Sequence, residues 1–457
     1  MEPSPSPEPA AAPLRKLGFW SIWALGVGAV VGDGIFLLLG QGIEKAGPSA
    51  ALAFLLAGVF QMFLMVALGE LAVGMPTSGA MSDWAQRLLG DWWGFLAGFA
   101  FALGWAVAGG SVGIAIGQIT CWFFFPGPPE PVWIAAFAIA FLTLFAALNA
   151  LGVEIAAKTQ LVLVFVLVGL MVAFAVVGAA WVEPRNYQPL MPDGWAGFWL
   201  AVPLGTYAYL GAITLATAGG ECKNPRDLPR ALIWSSVTFL VVYTAAQVVV
   251  EGIVPWQDVT AGVSPFTVAA DRVFGRAGAW VLNLAAWLAA ATTLLMGTIY
   301  ATSRIFYAQA KAGYLPRPLG YLHPRRGTPV VGIVVVWLVS VVLVLIGTRD
   351  PNYYYEFYGL QLVFAWMVSW ALALVAAVAY RRRYPEEVRG LSWRQPLYPL
   401  FPLVGLIGIG VVTYYTVEGA PLTLAIGAGW IAVAGAYYYL GPCRKRLREA
   451  GNANLSA

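Results

Sequence analysis

Asp33 stands between two glycines in the stretch Gly26-Val-Gly28-Ala-Val-Val-Gly32-Asp33-Gly34-Ile35-Phe36, and it is the only ionisable residue near the middle of an apolar run over 17–42. A charge at mid-membrane depth costs at least about 2.5–3.5 kcal/mol on insertion scales, so it faces a cavity or marks a pathway. Four glycines in nine residues make a poor continuous helix, because each costs about 1 kcal/mol against Ala in a helix interior. An interrupted helix frees backbone N–H and C=O groups, which membrane depth tolerates only where protein or a ligand cavity satisfies them. The chemistry on offer is therefore recognition at a helix break. The competing reading is a glycine-rich packing face with Asp33 paired to a neighbouring helix.

A second apolar run is interrupted in the same way: Pro203-Leu-Gly205-Thr206-Tyr207-Ala208-Tyr209-Leu210-Gly211, then Thr214, Thr217 and Gly219-Gly220. Two such spans, at corresponding places if spans 1–5 and 6–10 are inverted repeats, point to a transporter binding site at the midplane. Span 8 adds Thr292 and Thr293. Hydroxyls in a span often only bond the preceding turn of their own helix; a sodium-site role is the other reading.

These sites need spans to hold them. Twelve apolar runs are expected, at about 17–42, 48–74, 92–125, 131–150, 155–181, 195–219, 231–254, 277–310, 329–347, 355–380, 398–417 and 420–441, against about 20 residues per crossing. Threading the chain through them puts 21 of its 26 Lys and Arg on one side and only Lys45, Arg185, Arg272, Arg276 and Arg349 on the other. By the positive-inside rule both termini are cytoplasmic in the cell (plasma) membrane. The expected organisation is a disordered tail over 1–14, a transporter domain over 15–442 and a cytoplasmic tail over 443–457. Within the domain, repeat one covers about 17–181, repeat two about 195–381, and helices 11–12 about 398–441. Glu70 is expected to pair with a basic loop residue, and Arg381-Arg-Arg383 and Arg444-Lys-Arg446 to anchor at the lipid surface. Tyr353 to Tyr358 read as an interfacial aromatic belt.

Composition narrows the class. The chain is 60% hydrophobic and 11% charged with mean hydropathy +0.75, where soluble proteins carry about 25% charged residues. The formal net charge of +4 follows from the sided basic residues and implies no nucleic-acid partner. No basic segment followed by a short apolar core and a cleavage site is seen, so the first span is expected to serve as its own insertion signal. Cys121, Cys222 and Cys443 share no motif spacing, and His323 is the lone histidine. No metal site, cofactor or catalytic set is expected, and an enzyme is the disfavoured class.

Three patterns together resemble the amino acid–polyamine–organocation (APC) transporter superfamily, amino acid permeases included. They are Gly32-Asp33-Gly34-Ile35-Phe36, then Lys223-Asn224-Pro225-Arg226 with Pro229-Arg230, then Arg304 with Ala312-Gly313-Tyr314-Leu315-Pro316 and Thr328-Pro329. The resemblance implies an all-α, 12-helix membrane protein with a 5+5 inverted repeat (LeuT-type fold), broken helices 1 and 6, and alternating access. It implies a small-molecule substrate, an amino acid or amine, coupled to protons, sodium or counter-substrate. Membrane lipid is expected around the chain, and no obligate protein partner is evident in the sequence. Carried over, Gly32, Asp33 and Gly34, flanked by Val30 and Ile35, present backbone N–H groups to a substrate carboxylate. Tyr207, Ala208, Tyr209, Leu210 and Gly211 meet the amino group and side chain from the opposing break, with Tyr207 as the gating aromatic.

Three departures qualify this. Relatives commonly hold Ser, Ala or Thr where Asp33 stands. Two like charges 4 Å apart repel by about 4 kcal/mol at an effective dielectric of 20, so Asp33 turns aside, binds a proton, or meets a substrate cation. Ile213 occupies a position that is often acidic, and Leu167 lies near the place of a mid-span lysine. The expected function is transport of a small amino acid with Asp33 as coupling or sensing carboxylate. The alternative is an amine lacking a carboxylate, with Asp33 as its cation partner.

Overall fold

With no water at membrane depth, each backbone group of an apolar run must be satisfied within its own segment, so the runs fold as helices. The computed structural model describes residues 16–125, 127, 129–224, 226–259, 264–441 and 443. The expectations for the two tails, for the anchor Arg444-Lys-Arg446 and for Pro225 fall outside the described residues, apart from residues 443 of the C-terminal tail, which is helical and buried.

The first run forms α1 (Phe19–Val30) and α2 (Asp33–Ala46), separated at Val31-Gly32. Then come α3 (Ala50–Gly74), the short α4 (Met81–Leu89), α5 (Asp91–Phe124), α6 (Pro131–Leu151) and α7 (Val153–Gly178). The second half holds α8 (Gly194–Tyr209), which continues as a 3-10 helix over Leu210–Glu221, and α9 (Asp227–Ile253). Next, α10 (Pro265–Thr292) passes into a π-helix (Thr293–Ala301) and α11 (Thr302–Lys311). The chain ends with α12 (Val330–Gly347), α13 (Pro351–Arg383), α14 (Pro385–Arg389), α15 (Leu400–Gly419) and α16 (Leu422–Tyr439).

Among the described residues, 11 continuous stretches are long and apolar enough to cross a membrane. One of them, Phe19–Gly74, has 56 residues and turns at Gly47–Ser49, so it holds two crossings and the expected twelve are present. Pro265–Lys311 has 47 residues but bends at Gly275, where φ is 64°; the piece before the bend is too short to cross.

The interrupted spans form the centre. Within Gly194–Glu221, 89% of the 18-residue apolar stretch is buried, against 22% in Leu422–Tyr439, which marks α16 as peripheral. α1 packs on α7, α9 and the 3-10 segment, while α2 packs on α8 and α10. α5 runs beside α13 and α12. Glu70 pairs with Arg381, whose Nη2 also donates to the Gln395 carbonyl, and it accepts from the Gln395 N–H at 2.7 Å. The expected pairing of Glu70 is thus made by one of the three arginines read as lipid anchors.

Candidate functional site

At the first break the chain leaves helical geometry for two residues. Val31 has φ −73° and ψ 77°, and Gly32 is extended at φ −107°, ψ −171°. The carbonyls this frees are met by side chains: Tyr243 Oη donates to Val30 O at 2.8 Å, and Thr292 Oγ1 lies 3.4 Å from Val31 O. The Gly32 N–H donates back to Val30 O at 2.7 Å, so it is already used. The Asp33 N–H is drawn to its own carboxylate, so the donors left to a ligand are those of the first turn of α2 from Gly34 onward. A helix start carries free N–H groups and a partial positive charge, which suits an anion.

The second break is a change of winding. Pro203 is accommodated inside α8, and after Tyr209 the chain tightens into 12 residues of 3-10 helix. Runs beyond 3–4 residues of this geometry are uncommon, and mid-helix stretches mark hinges or strain. The two breaks touch at Gly211, where a Cβ would collide with the carbonyl of Ala29 and the nitrogen of Val30. Similar contacts close the site elsewhere: a Cβ on Gly34 would sit 2.6 Å from the Tyr207 ring, and one on Gly32 2.6 Å from Thr293 Oγ1.

Between the breaks lies a cavity of about 20 Å³, enough for one water. It is lined by Val30, Gly32, Asp33 and Gly34 from the first break and by Tyr207, Ala208, Leu210 and Gly211 from the second, with Ala29 and Thr293. Trp105, Ala108 and Val112 of α5 and Leu362 of α13 complete it. An amino acid fits only if some of these walls move. Two expected residues lie elsewhere. Tyr209 turns to Phe239 and Tyr243, with ring centroids 5.5 and 5.2 Å away. Ile35 is buried but does not line the cavity. Each directly follows a cavity residue, Ala208 or Gly34, and is turned from it by about 100° round an α-helix.

Asp33 does not face the cavity alone. Tyr207 Oη donates to its Oδ2 at 3.5 Å, and Ser111 Oγ lies 3.3 Å from the same hydroxyl. Tyr355 of α13 completes the cluster: its ring centroid is 6.4 Å from that of Tyr207, and its hydroxyl is buried without a hydrogen-bond partner among the described residues. Tyr355 is 5% exposed while Tyr353 is 53% exposed, so the expected aromatic belt is split between site and surface. Thr292 is held by Ala289 O at 2.8 Å, whereas the Thr293 hydroxyl is buried without a partner among the described residues. No group of three His, Cys, Asp or Glu suited to a metal occurs among the described residues.

The chain is similar to known proteins in sequence and in fold. A family model described as amino acid permease matches residues 17–435. The branched-chain amino acid permease BcaP of Bacillus subtilis (strain 168) is 25% identical over 400 residues, 83% of each chain. The uncharacterized amino acid permease YtnA of the same organism is 28% identical, over 94% of this chain and 96% of its own. The L-asparagine permease of Escherichia coli (strain K12) is 28% identical, over 84% of this chain and 79% of its own. The crystal structure of MhsT in complex with L-phenylalanine superposes with TM-score 0.64 at 14% identity, covering 89% of this chain and all of that one; it shares the LeuT-type fold. With its broken first span, its helical crossings and this match over nearly the whole membrane domain, the chain belongs to the amino acid permease family of the APC superfamily, a multi-pass membrane transporter family.

Proposed function

We propose that the protein is a secondary active transporter that moves a small amino acid across the cell membrane by alternating access. The observation that carries this is the meeting of two interrupted helices on one cavity, with the start of α2 presented to it. The substrate carboxylate sits at the first-turn N–H groups of α2, and its side chain lies against Trp105, Ala108 and Val112. Relatives named for branched-chain amino acids and for L-asparagine favour an uncharged side chain. Asp33 serves as the coupling or sensing carboxylate, tied back by Tyr207 when the site is closed. Thr292 and Thr293 are the candidate ligands if the coupling ion is sodium. Both termini are cytoplasmic, and the two repeats over 17–181 and 195–381 move relative to one another around the site.

A second reading, an amine without a carboxylate, is favoured by one observation: a carboxylate lines the cavity. Thermal stabilisation of the purified protein by amino acids and by their decarboxylated amines separates the two, since ligand at a hundred times its Kd adds about 2.7 kcal/mol. Stabilisation by leucine and asparagine and not by isoamylamine supports the amino acid. The reverse order overturns it. Uptake into proteoliposomes under imposed pH or sodium gradients identifies the coupling ion.

A further inference from the structure

Three helices carry a stripe from the central cavity toward the face poor in Lys and Arg. On α2 it is Asp33, Leu37 and Gln41, spaced four apart and hence on one side of the helix. On α5 it passes from Val112 to Gln118 and Trp122, and on α13 from Leu362 back to Tyr355 and Asn352. Two further cavities lie along these stripes. One, of about 180 Å³, is lined by Gln41, Gln118, Asn352, Tyr355 and Glu356 among others. The other, of about 210 Å³, shares Leu37 and Gln118 with it. The cluster Asp33–Tyr207–Tyr355 stands between the first of these and the central cavity: Tyr355 lines the outer one, and Asp33 and Tyr207 line the inner.

The charge along this route has one sign. The three linings contain two carboxylates, Asp33 and Glu356, and no Lys or Arg among the described residues. Glu356 is half-buried and makes no ion pair among the described residues. Around it stand amides: Gln118 Nε2 donates to Asn352 Oδ1 at 3.3 Å, and Gln41 Oε1 is buried without a partner among the described residues. An unpaired carboxylate beside an amide acceptor with no donor is complementary to an ammonium group.

We propose that this outer vestibule is a binding site for the substrate's ammonium group, with Glu356 as its anionic partner. It feeds the Asp33–Tyr207–Tyr355 septum, so substrates enter amine-first and acidic amino acids are rejected. The inference rests on the transporter reading for its substrate but not for its charge selectivity, and the test keeps the two apart. Clefts lined by one sign of charge raise the local concentration of counter-ions.

The test places a cysteine in the vestibule, Gln118→Cys, in the full-length protein; the three native cysteines are buried, and wild type supplies the labelling blank. Labelling rates are compared for two methanethiosulfonates, one bearing a trimethylammonium and one a sulfonate, each normalised to its rate with a small thiol. The expected result is at least a five-fold preference for the cation, falling to within two-fold in Gln118→Cys/Glu356→Gln and reversing in Gln118→Cys/Glu356→Lys. Ethylammonium should slow the cationic label, and propionate should not. Equal rates in Gln118→Cys, no labelling by either reagent, or a preference that survives Glu356→Gln overturns the proposal. In uptake, Glu356→Gln should raise KM for leucine five- to ten-fold with the maximal rate retained. Cation-selective labelling with no uptake of any amino acid upholds the vestibule and overturns the transporter reading instead.

Discussion

Gly211 lies against the Ala29–Val30 peptide with no room for a Cβ between them. That contact joins the two interrupted spans at the point where both leave α-helical geometry, so the shape of the cavity depends on it. Gly211→Ala forces a methyl group into the Ala29–Val30 backbone, and overpacking of this kind costs about 1–3 kcal/mol. The expected outcome is loss of ligand-induced stabilisation and of uptake, with a lowered Tm. Gly169→Ala is the control, because nothing lies within 4 Å of a Cβ there; it should leave uptake unchanged and Tm unchanged or slightly raised. Equal behaviour of the two variants would show that the close approach has no functional weight.

The Asp33–Tyr207 contact ties the first break to the wall of the second. Asp33→Asn keeps the size of the side chain and removes its charge, and Tyr207→Phe removes the hydroxyl that donates to it. Uptake by Asp33→Asn, measured from pH 5 to 8, should fall at least ten-fold and lose its pH dependence. Tyr207→Phe should keep the pH dependence with a changed KM. An Asp33→Asn profile that overlays wild type would remove Asp33 from coupling.

The first break was legible in the sequence because glycine and a lone carboxylate are anomalous in an apolar run. The Gly211 break was legible for the same reason, whereas Tyr207 was placed there only by the family resemblance. The α5 wall was not: Trp105, Ala108 and Val112 are ordinary residues for any span, and only packing shows which face meets the cavity. Tyr355 was hidden in a tyrosine cluster whose members divide between surface and site. Tyr209 shows the opposite error, since a motif cannot tell which of two nearby tyrosines faces inward. Long-range pairs such as Glu221 and Arg304 need the fold, because no local pattern connects them.

Outside the spans, Asp83 of α4 gives a pH prediction. Burial holds its carboxyl above the ordinary carboxylate range, against the opposing pull of hydrogen bonds from Thr77 and the Gly79 backbone. A carboxyl raised on folding contributes stability below its unfolded pKa, near 3.9, and this is lost as pH rises through the folded value. Asp83→Asn does not titrate and can still accept from Thr77. Its Tm should therefore decline less than that of wild type between pH 4 and 7. Parallel declines would assign the pH dependence to other groups.

At the Lys- and Arg-rich face, four segments converge on Glu221. Its Oε1 accepts from Arg304 Nε at 2.9 Å and its Oε2 from Tyr300 Oη at 2.5 Å, while the Leu17 N–H donates to its carbonyl at 3.0 Å. Gly219 and Gly220, just before it, pack on Thr77 and Ser78 with no space for side chains. Glu221 and Arg304 are each 2% exposed, and breaking such a buried pair by removing one charge costs about 3–5 kcal/mol. Glu221→Gln and Arg304→Gln should each lower Tm in detergent markedly, whereas the double variant should lose less than the sum, because neither leaves a buried charge behind. The same loss should loosen the Leu17 segment from the end of the 3-10 helix, read as faster amide hydrogen exchange at Leu17 and Lys223, whose N–H donates to Leu17 O at 2.8 Å. Additive Tm losses with unchanged exchange would mean that Glu221 and Arg304 contribute to the bundle independently and do not hold this inner closure together.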